Sequence, residues 1–234
     1  MKRSYIAMLV SFFVLIPATL FLGGRLPGRG YYITAVLMIA ELLVPFLLAF
    51  EGRRPKAREL VVISIMCAAA VIGRVAVPIP AFKPVFAIIM LTGIAFGPET
   101  GFIVGAVTAL VSNFFFGQGV YMPWQMMAYG AGGMAAGFFF KIKAIPRKRW
   151  VLALFGALCV IVWVGPLLDS SQIFLMAPEV NRESALAALA SGFPVNLLQA
   201  TCTALVMFVF GKALLEKLDR VKIKYGMTEG DHGI

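Results

Sequence analysis

Apolar blocks about as long as a membrane-spanning helix recur along this sequence and constrain its fold more than any other feature. The first two are YIAMLVSFFVLIPATLFL (5–22) and YYITAVLMIAELLVPFLLAF (31–50). A bilayer-crossing helix needs about 17–25 mostly apolar residues. Only 14% of the residues are charged, whereas soluble domains contain about 25%. We therefore predict an all-α, polytopic membrane helical bundle.

Six further apolar segments follow a hydrophilic connector and predict a six-helix core. They are residues 60–78, 84–97, 100–116, 123–140, 150–168 and 185–215. The short second segment is expected to end at a membrane-embedded Gly97-Pro98 turn. The last is longer than one span requires, so we expect its first turns to lie at the interface. The predicted divisions are a two-helix N-terminal extension (1–50), a basic cytoplasmic connector (51–59), the core (60–215) and a polar cytoplasmic tail (216–234).

Lysine and arginine gather at one end of these predicted spans. With the N-terminus inside and eight spans, 16 of the 21 basic residues fall on the inner side. Such an excess marks the cytoplasmic loops of membrane proteins. We predict a multi-pass protein of the plasma membrane, with both termini in the cytoplasm and residues 112–126 outside. The net charge of +10 then needs no nucleic-acid partner.

The stretch SNFFFGQGVYMPWQM (112–126) combines aromatic rings with amides and is the main candidate binding segment. An interfacial aromatic belt would explain Tyr121 and Trp124. It does not explain the amides Asn113, Gln118 and Gln125. Small-molecule pockets are mostly apolar with a few placed polar groups, so we favour a pocket over a belt.

Ionisable residues in the apolar segments are few: Glu41, Arg74, Lys83 and Asp169. A charge inside a bilayer costs about 2.5–3.5 kcal/mol on insertion scales, which makes each a candidate functional residue. Snorkelling to the interface explains the last three almost as well.

Catalysis is not predicted from this sequence. It contains no HExxH, GxSxG or Walker pattern, and its single histidine, His232, lies in the polar tail. The cysteines lie in apolar blocks without metal-ligand spacing. We therefore expect that the protein is not an enzyme, that it has no metal site and that it carries no covalently bound cofactor.

Small residues recur four positions apart, as in Ser64/Ala68, Ala69/Gly73, Gly93/Gly97, Gly101/Gly105 and Gly133/Gly137. Such pairs allow helix backbones to approach closely in a membrane. Most are expected to pack helices within the chain. One such ridge is a candidate docking face for a membrane partner, and the stretch around Cys67–Ala70 is the best placed because its helix follows the basic connector.

Residues 59–140 resemble the substrate-binding S-components of energy-coupling factor (ECF) vitamin transporters. The resemblance is carried by ELVVISIMCAAAVIGR, by FKPVFAIIMLTGIAFGPETGFIVGAVTALVSNFFFGQG and by MPWQMMAYGAGG. It is clearest over the first four core helices and extends to about residue 215. The AFGPETG turn, the small-residue helix after it and NFFFGQG are its most specific parts.

The resemblance implies a subunit that binds a vitamin outside with high affinity. A transmembrane coupling subunit and two cytoplasmic ATPases would drive its toppling, and only those ATPases would hydrolyse ATP. Docking would involve Ala68, Ala69 and Gly73, which do not form the plain AxxxA pattern. The ligand site would correspond to the outer residues Phe82, Lys83, Asn113, Gln118, Tyr121, Trp124 and Gln125.

The extra N-terminal helix pair and the NFFFGQG loop look most like S-components assigned to cobalamin. Riboflavin, folate and a queuosine precursor stay open as ligands. A facilitator or channel that acts alone is the alternative function, and a purely structural subunit is a third. A facilitator needs a polar stripe through several spans, and helices 60–78, 100–111 and 150–165 show none apart from Arg74.

Overall fold

The computed structural model describes residues 57–119, 121–142, 144–176 and 182–224, and ten isolated positions before residue 42. The predicted N-terminal helix pair, most of the connector and the end of the tail therefore lie outside the described residues. Two of the isolated positions are in contact. The hydroxyl of Thr19 donates a hydrogen bond to Oε1 of Glu41 over 2.6 Å, which gives the mid-span acid of the second apolar block a partner in the first.

The described ranges are helical apart from short connections, as the sequence predicts. The helices are α1 (Ala57–Val75), α2 (Val85–Phe96), α3 (Pro98–Phe116), α4 (Met122–Phe139), α5 (Arg149–Cys159), α6 (Gly165–Met176), α7 (Arg182–Val206) and α8 (Lys212–Lys224). Two π-helical turns, Val160–Val164 and Met207–Gly211, join α5 to α6 and α7 to α8 without a break. These ranges thus contain six continuous helical segments.

Prolines and glycines set several of these boundaries. Gly97 separates α2 from α3 with φ +96°, and Pro98 occupies the first turn of α3. A positive φ favours glycine because it has no Cβ, and proline is tolerated where helical N–H groups have no partner. The expected turn at Gly97-Pro98 is therefore confirmed. Another glycine, Gly117 at φ +97°, ends α3.

The centre of the bundle is α2, whose residues are all buried except Ile88. It packs against α4 and α3, while α3 and α4 form the most extensive contact of the fold. A Cβ at Gly133 would lie 2.3 Å from the carbonyl oxygen of Gly101, and one at Gly105 would lie 2.4 Å from that of Tyr129. The backbones of α3 and α4 therefore touch directly, which confirms that these small residues pack helices within the chain.

The last two segments complete the bundle. The π turn before α6 immediately precedes Gly165-Pro166, and such a turn accommodates a proline that cannot donate a backbone hydrogen bond. The turns expected at the interface and the span that follows belong to one helix, because α7 continues through Pro194. The final helix, α8, extends to Lys224 and buries Leu215 and Leu218.

Three helical segments of the described part are long and apolar enough to cross a membrane: Pro98–Phe116, Arg149–Gln172 and Arg182–Lys224. The shorter α2 has 12 residues and spans about 18 Å at 1.5 Å per residue, so it is enclosed by its neighbours rather than spanning alone. The end of the bundle at the C-terminus of α2 carries basic side chains in polar contacts. Lys222 donates to the carbonyl of Ala95 over 2.6 Å, and Arg147 lies 3.3 Å from Asp219.

Candidate functional site

A cavity of about 360 Å³ opens at the end of the bundle where α1 and α3 finish and α4 begins. The loop before α2 and the facing parts of α6 and α7 complete its wall. Pockets for drug-sized ligands measure about 300–1,000 Å³. The cavity therefore has room for one small organic molecule.

Arg74, near the end of α1, organises one side of this cavity. Its Nη1 donates to Oγ of Ser112 and, over 2.9 Å, to Oδ1 of Asn113. Nδ2 of Asn113 in turn donates to Oε1 of Gln125 over 2.8 Å. Arginine has only donors, so it fixes the orientation of the Asn113 amide, and that amide fixes Gln125. This series of hydrogen bonds from Arg74 through Asn113 to Gln125 is here called the relay. It leaves Nε2 of Gln125 as a donor at the cavity.

Aromatic rings flank the Arg74 guanidinium. Its central carbon lies 5.1 Å from the ring centroid of Phe116 and 5.3 Å from that of Tyr129, both of which line the cavity. These distances suit cation–π attraction. Phe86 supports Tyr129 edge-on, with ring centroids 4.7 Å apart. The rings thus hold the arginine in place and offer flat surfaces against which a planar ligand can stack.

The opposite side of the cavity carries a buried carboxylate. Asp169 on α6 is 6% exposed, and its Oδ2 accepts a hydrogen bond of 2.7 Å from Nδ2 of Asn196 on α7. Two glycines make room for this pair: a Cβ at Gly192 would lie 2.2 Å from Oδ1 of Asp169, and one at Gly165 would lie 2.5 Å from Cγ of Asn196. Any side chain larger than hydrogen at either glycine would therefore displace Asp169 or Asn196.

The predicted ligand residues occupy different places around the cavity. Lys83, Tyr121 and Gln125 line it. Asn113 is completely buried behind Gln125 and acts through the relay, and Trp124 is also buried, at 3% exposure.

Two predicted residues lie apart from the lining. Gln118 is exposed and donates to the carbonyl of Leu110. Phe82 is half-buried in the loop before α2, next to Lys83. Lys83 itself donates to the carbonyl of Val77.

The sequence-based site left out the lining residues of α1, α6 and α7. Arg74 and Asp169 carry a signal in the sequence, since both are charges in apolar segments, but snorkelling explains them almost as well. Tyr129, Asn196 and Gln199 had no comparable signal. Their place in the wall depends on which helices face each other, and hydrophobic periodicity does not specify that.

The proposed docking residues do not share one face of α1. Ala68 is exposed, and it lies on the same side as Val61, Ile65 and Ile72. Gly73 is buried, and a Cβ there would lie 3.0 Å from Cδ1 of Ile88 on α2. Ala69 is intermediate. The outward surface of α1 is thus an apolar stripe with Ala68 at its centre.

Comparison with known proteins bears on this geometry. The family described as ECF-type riboflavin transporter, S component, matches residues 55–216. A UPF0397 protein of Vibrio atlanticus is 36% identical over 89 residues, which are 36% of this chain and 48% of the relative. A UPF0397 protein of Aliivibrio salmonicida is 36% identical over 105 residues, which are 42% of this chain and 55% of that relative. The chain spans about half the length of these curated relatives. No solved structure matches it.

The family match covers all the described helices that build the cavity, from α1 through α7. Three of the described helical segments are long and apolar enough to cross a membrane. This chain is therefore a multi-pass membrane protein that belongs to the family of ECF-type riboflavin transporter S components.

Proposed function

We propose that this chain is the high-affinity substrate-binding subunit of an ATP-driven ECF vitamin importer. The observation that carries the proposal is a ring-lined cavity of about 360 Å³, with several polar side chains in its wall, at one end of a bundle from this family. The cavity captures the vitamin from outside. Toppling of the subunit against a transmembrane coupling subunit, driven by two cytoplasmic ATPases, releases the vitamin inside.

The cavity volume bears on which vitamin is carried. A corrinoid such as cobalamin is far larger than the drug-sized ligands that fill about 300–1,000 Å³. A cavity of about 360 Å³ therefore supports a smaller vitamin, with riboflavin first because the family is described by that ligand. Cobalamin would require the loops around residues 78–83 and 117–121 to open widely.

The packing beneath the cavity supports capture rather than a stand-alone facilitator. There, glycine backbones of α2, α3 and α4 touch: a Cβ at Gly93 would lie 2.0 Å from the carbonyl oxygen of Gly133, and one at Gly137 would lie 2.5 Å from the backbone nitrogen of Pro98. Among these three helices no solute path exists without separating them.

The proposed orientation puts the cavity outside and the basic loop at 141–149 inside, together with both termini, the connector (51–59) and the tail (216–234). The excess of Lys and Arg at that end supports it. A single cysteine introduced at exposed Gln118 into a variant lacking the three native cysteines is expected to react with a membrane-impermeant maleimide on intact cells. Labelling only after lysis would contradict this orientation.

Binding and transport tests separate the proposed function from its alternative. Purified full-length chain is titrated with riboflavin, folate, thiamine and cobalamin in the absence of nucleotide, and one vitamin is expected to bind. In proteoliposomes, uptake of that vitamin is expected only with the coupling subunit, both ATPases and ATP. Uptake by the chain alone would establish a facilitator, and no binding by folded protein would overturn the proposal.

The docking face is proposed to be the outward stripe of α1, with Ala68 at its centre and Ala69 beside it. Close approach of helices in a membrane depends on small residues. Ala68→Leu is therefore expected to prevent copurification of the coupling subunit while vitamin binding by the isolated chain is unchanged. The matched control is Ala187→Leu at an exposed alanine of α7. Equal copurification of both variants would place the docking face elsewhere.

A further inference from the structure

The two sides of the cavity have opposite hydrogen-bonding character. Arg74, Lys83 and Gln125 form one side, here called the donor wall. Guanidinium and ammonium groups only donate, and the relay through Asn113 occupies the Gln125 oxygen, so that its Nε2 is left to donate. Every polar group on this wall thus offers N–H.

Asp169, Asn196 and Gln199 form the other side, here called the acceptor wall. An ionised carboxylate only accepts. Because Asn196 directs its Nδ2 to Asp169, the amide oxygen of Asn196 is turned away from that bond. Oε1 of Gln199 is buried without a hydrogen-bond partner among the described residues. Buried acceptors of this kind are costly unless a donor satisfies them.

Within the described ranges the charges of the two walls do not neutralise each other. Neither Arg74 nor Asp169 takes part in an ion pair there, although both line the same cavity. Asp169 is held by Asn196 and seated against Gly192, and Arg74 is held by Asn113 and two rings. Each charge is fixed on its own side, facing the cavity.

We propose that the cavity selects a planar heteroaromatic ligand with hydrogen-bond acceptors on one edge and hydrogen-bond donors on the opposite edge. Ring nitrogens or carbonyls meet the donor wall, and N–H or O–H groups meet the acceptor wall. The rings of Phe116, Tyr121 and Tyr129 face the plane of the ligand. This inference rests on the proposed function and adds Asp169, Asn196 and Gln199 as specificity-determining residues.

The test compares Asp169→Asn with the wild-type protein in titrations with riboflavin, folate, thiamine and cobalamin. The amide places an NH₂ donor where the carboxylate accepted. The best-bound vitamin is therefore expected to lose about tenfold or more in affinity, as for a hydrogen bond to a charged group. The control, Ser170→Ala, removes a hydroxyl that donates to the carbonyl of Leu167 outside the cavity, and affinity is expected to change by less than about twofold.

A second measurement identifies the edge of the ligand that meets Asp169. Derivatives of the best-bound vitamin, with its N–H or O–H donors capped by methyl groups, are titrated into both proteins. Capping the matching edge is expected to weaken binding to the wild type much more than to Asp169→Asn, which is the coupling that a double-mutant cycle detects.

The outcomes distinguish the two proposals. If the wild type binds none of the vitamins, the proposed function fails, and this inference fails with it. If the wild type binds one and Asp169→Asn binds it equally well, only the acceptor wall is overturned. Equal losses on capping in both proteins would also overturn it. Unchanged thermal unfolding of Asp169→Asn would show that a loss of affinity does not arise from misfolding.

Discussion

Replacing Gly133 with alanine is expected to destabilise this protein strongly, because the added methyl group meets backbone atoms of the neighbouring helix. The new Cβ would lie 2.3 Å from the carbonyl oxygen of Gly101 and 2.9 Å from Cγ2 of Ile89. Backbone atoms cannot turn away as side chains can, so α3 and α4 must separate. Overpacking typically costs about 1–3 kcal/mol, and we expect the free energy of unfolding to fall by about 3 kcal/mol or more.

Two other glycines provide matched controls with graded contacts. At Gly132 a Cβ would lie 2.9 Å from Cγ2 of Val164, and at Gly211 it would lie 3.3 Å from Cδ1 of Leu152. Side-chain methyl groups can move, and alanine is favoured over glycine in a helix by about 1 kcal/mol. Thermal unfolding in detergent is therefore expected to rank Gly133→Ala as the least stable, then Gly132→Ala, then Gly211→Ala. Similar midpoints for all three would contradict direct contact between the backbones.

The sequence predicts the helices well because membrane segments are marked by length and hydropathy. Predicted segments 100–116 and 123–140 correspond to α3 (Pro98–Phe116) and α4 (Met122–Phe139). The Gly97-Pro98 turn was also predictable, because proline and glycine act locally on the backbone. The continuity of α7 was not. A proline inside a helix lacks a backbone N–H and disfavours continuation, yet α7 runs through Pro194 and packs against α5 and α6.

The candidate site was less predictable because it depends on contacts between distant parts of the chain. The stretch at 112–126 identified Tyr121 and Gln125, both of which line the cavity. The acceptor wall arises from α6 and α7, where Asp169 meets a residue 27 positions away. Asn113 is predicted as a ligand contact; in the structure it is buried and donates a hydrogen bond to Gln125, which lines the cavity.

Loss of the Arg74 guanidinium is expected to have the largest effect on ligand binding. It donates to Ser112 and Asn113 and contacts the rings of Phe116 and Tyr129. In Arg74→Gln the donor wall loses one of its two positive charges, with Lys83 retained, and the hydrogen bond from Asn113 to Gln125 loses the group that orients it. Hydrogen bonds to charged groups contribute about 1.5–3 kcal/mol each, so we expect vitamin affinity to fall about 100-fold or more.

A lysine at position 74 separates charge from geometry. The lysine ammonium retains the positive charge. It lacks the planar guanidinium of arginine, which can donate to two acceptors while it stacks over a ring. Affinity of Arg74→Lys should therefore fall between those of the wild type and Arg74→Gln when measured by equilibrium dialysis. Arg58→Gln, at the exposed opposite end of α1, controls for loss of a positive charge from the same helix and should bind normally. If Arg74→Gln bound the vitamin as tightly as Arg58→Gln, the Arg74 hydrogen bonds would support the bundle without recognising the ligand, and Arg74 would have to be removed from the donor wall.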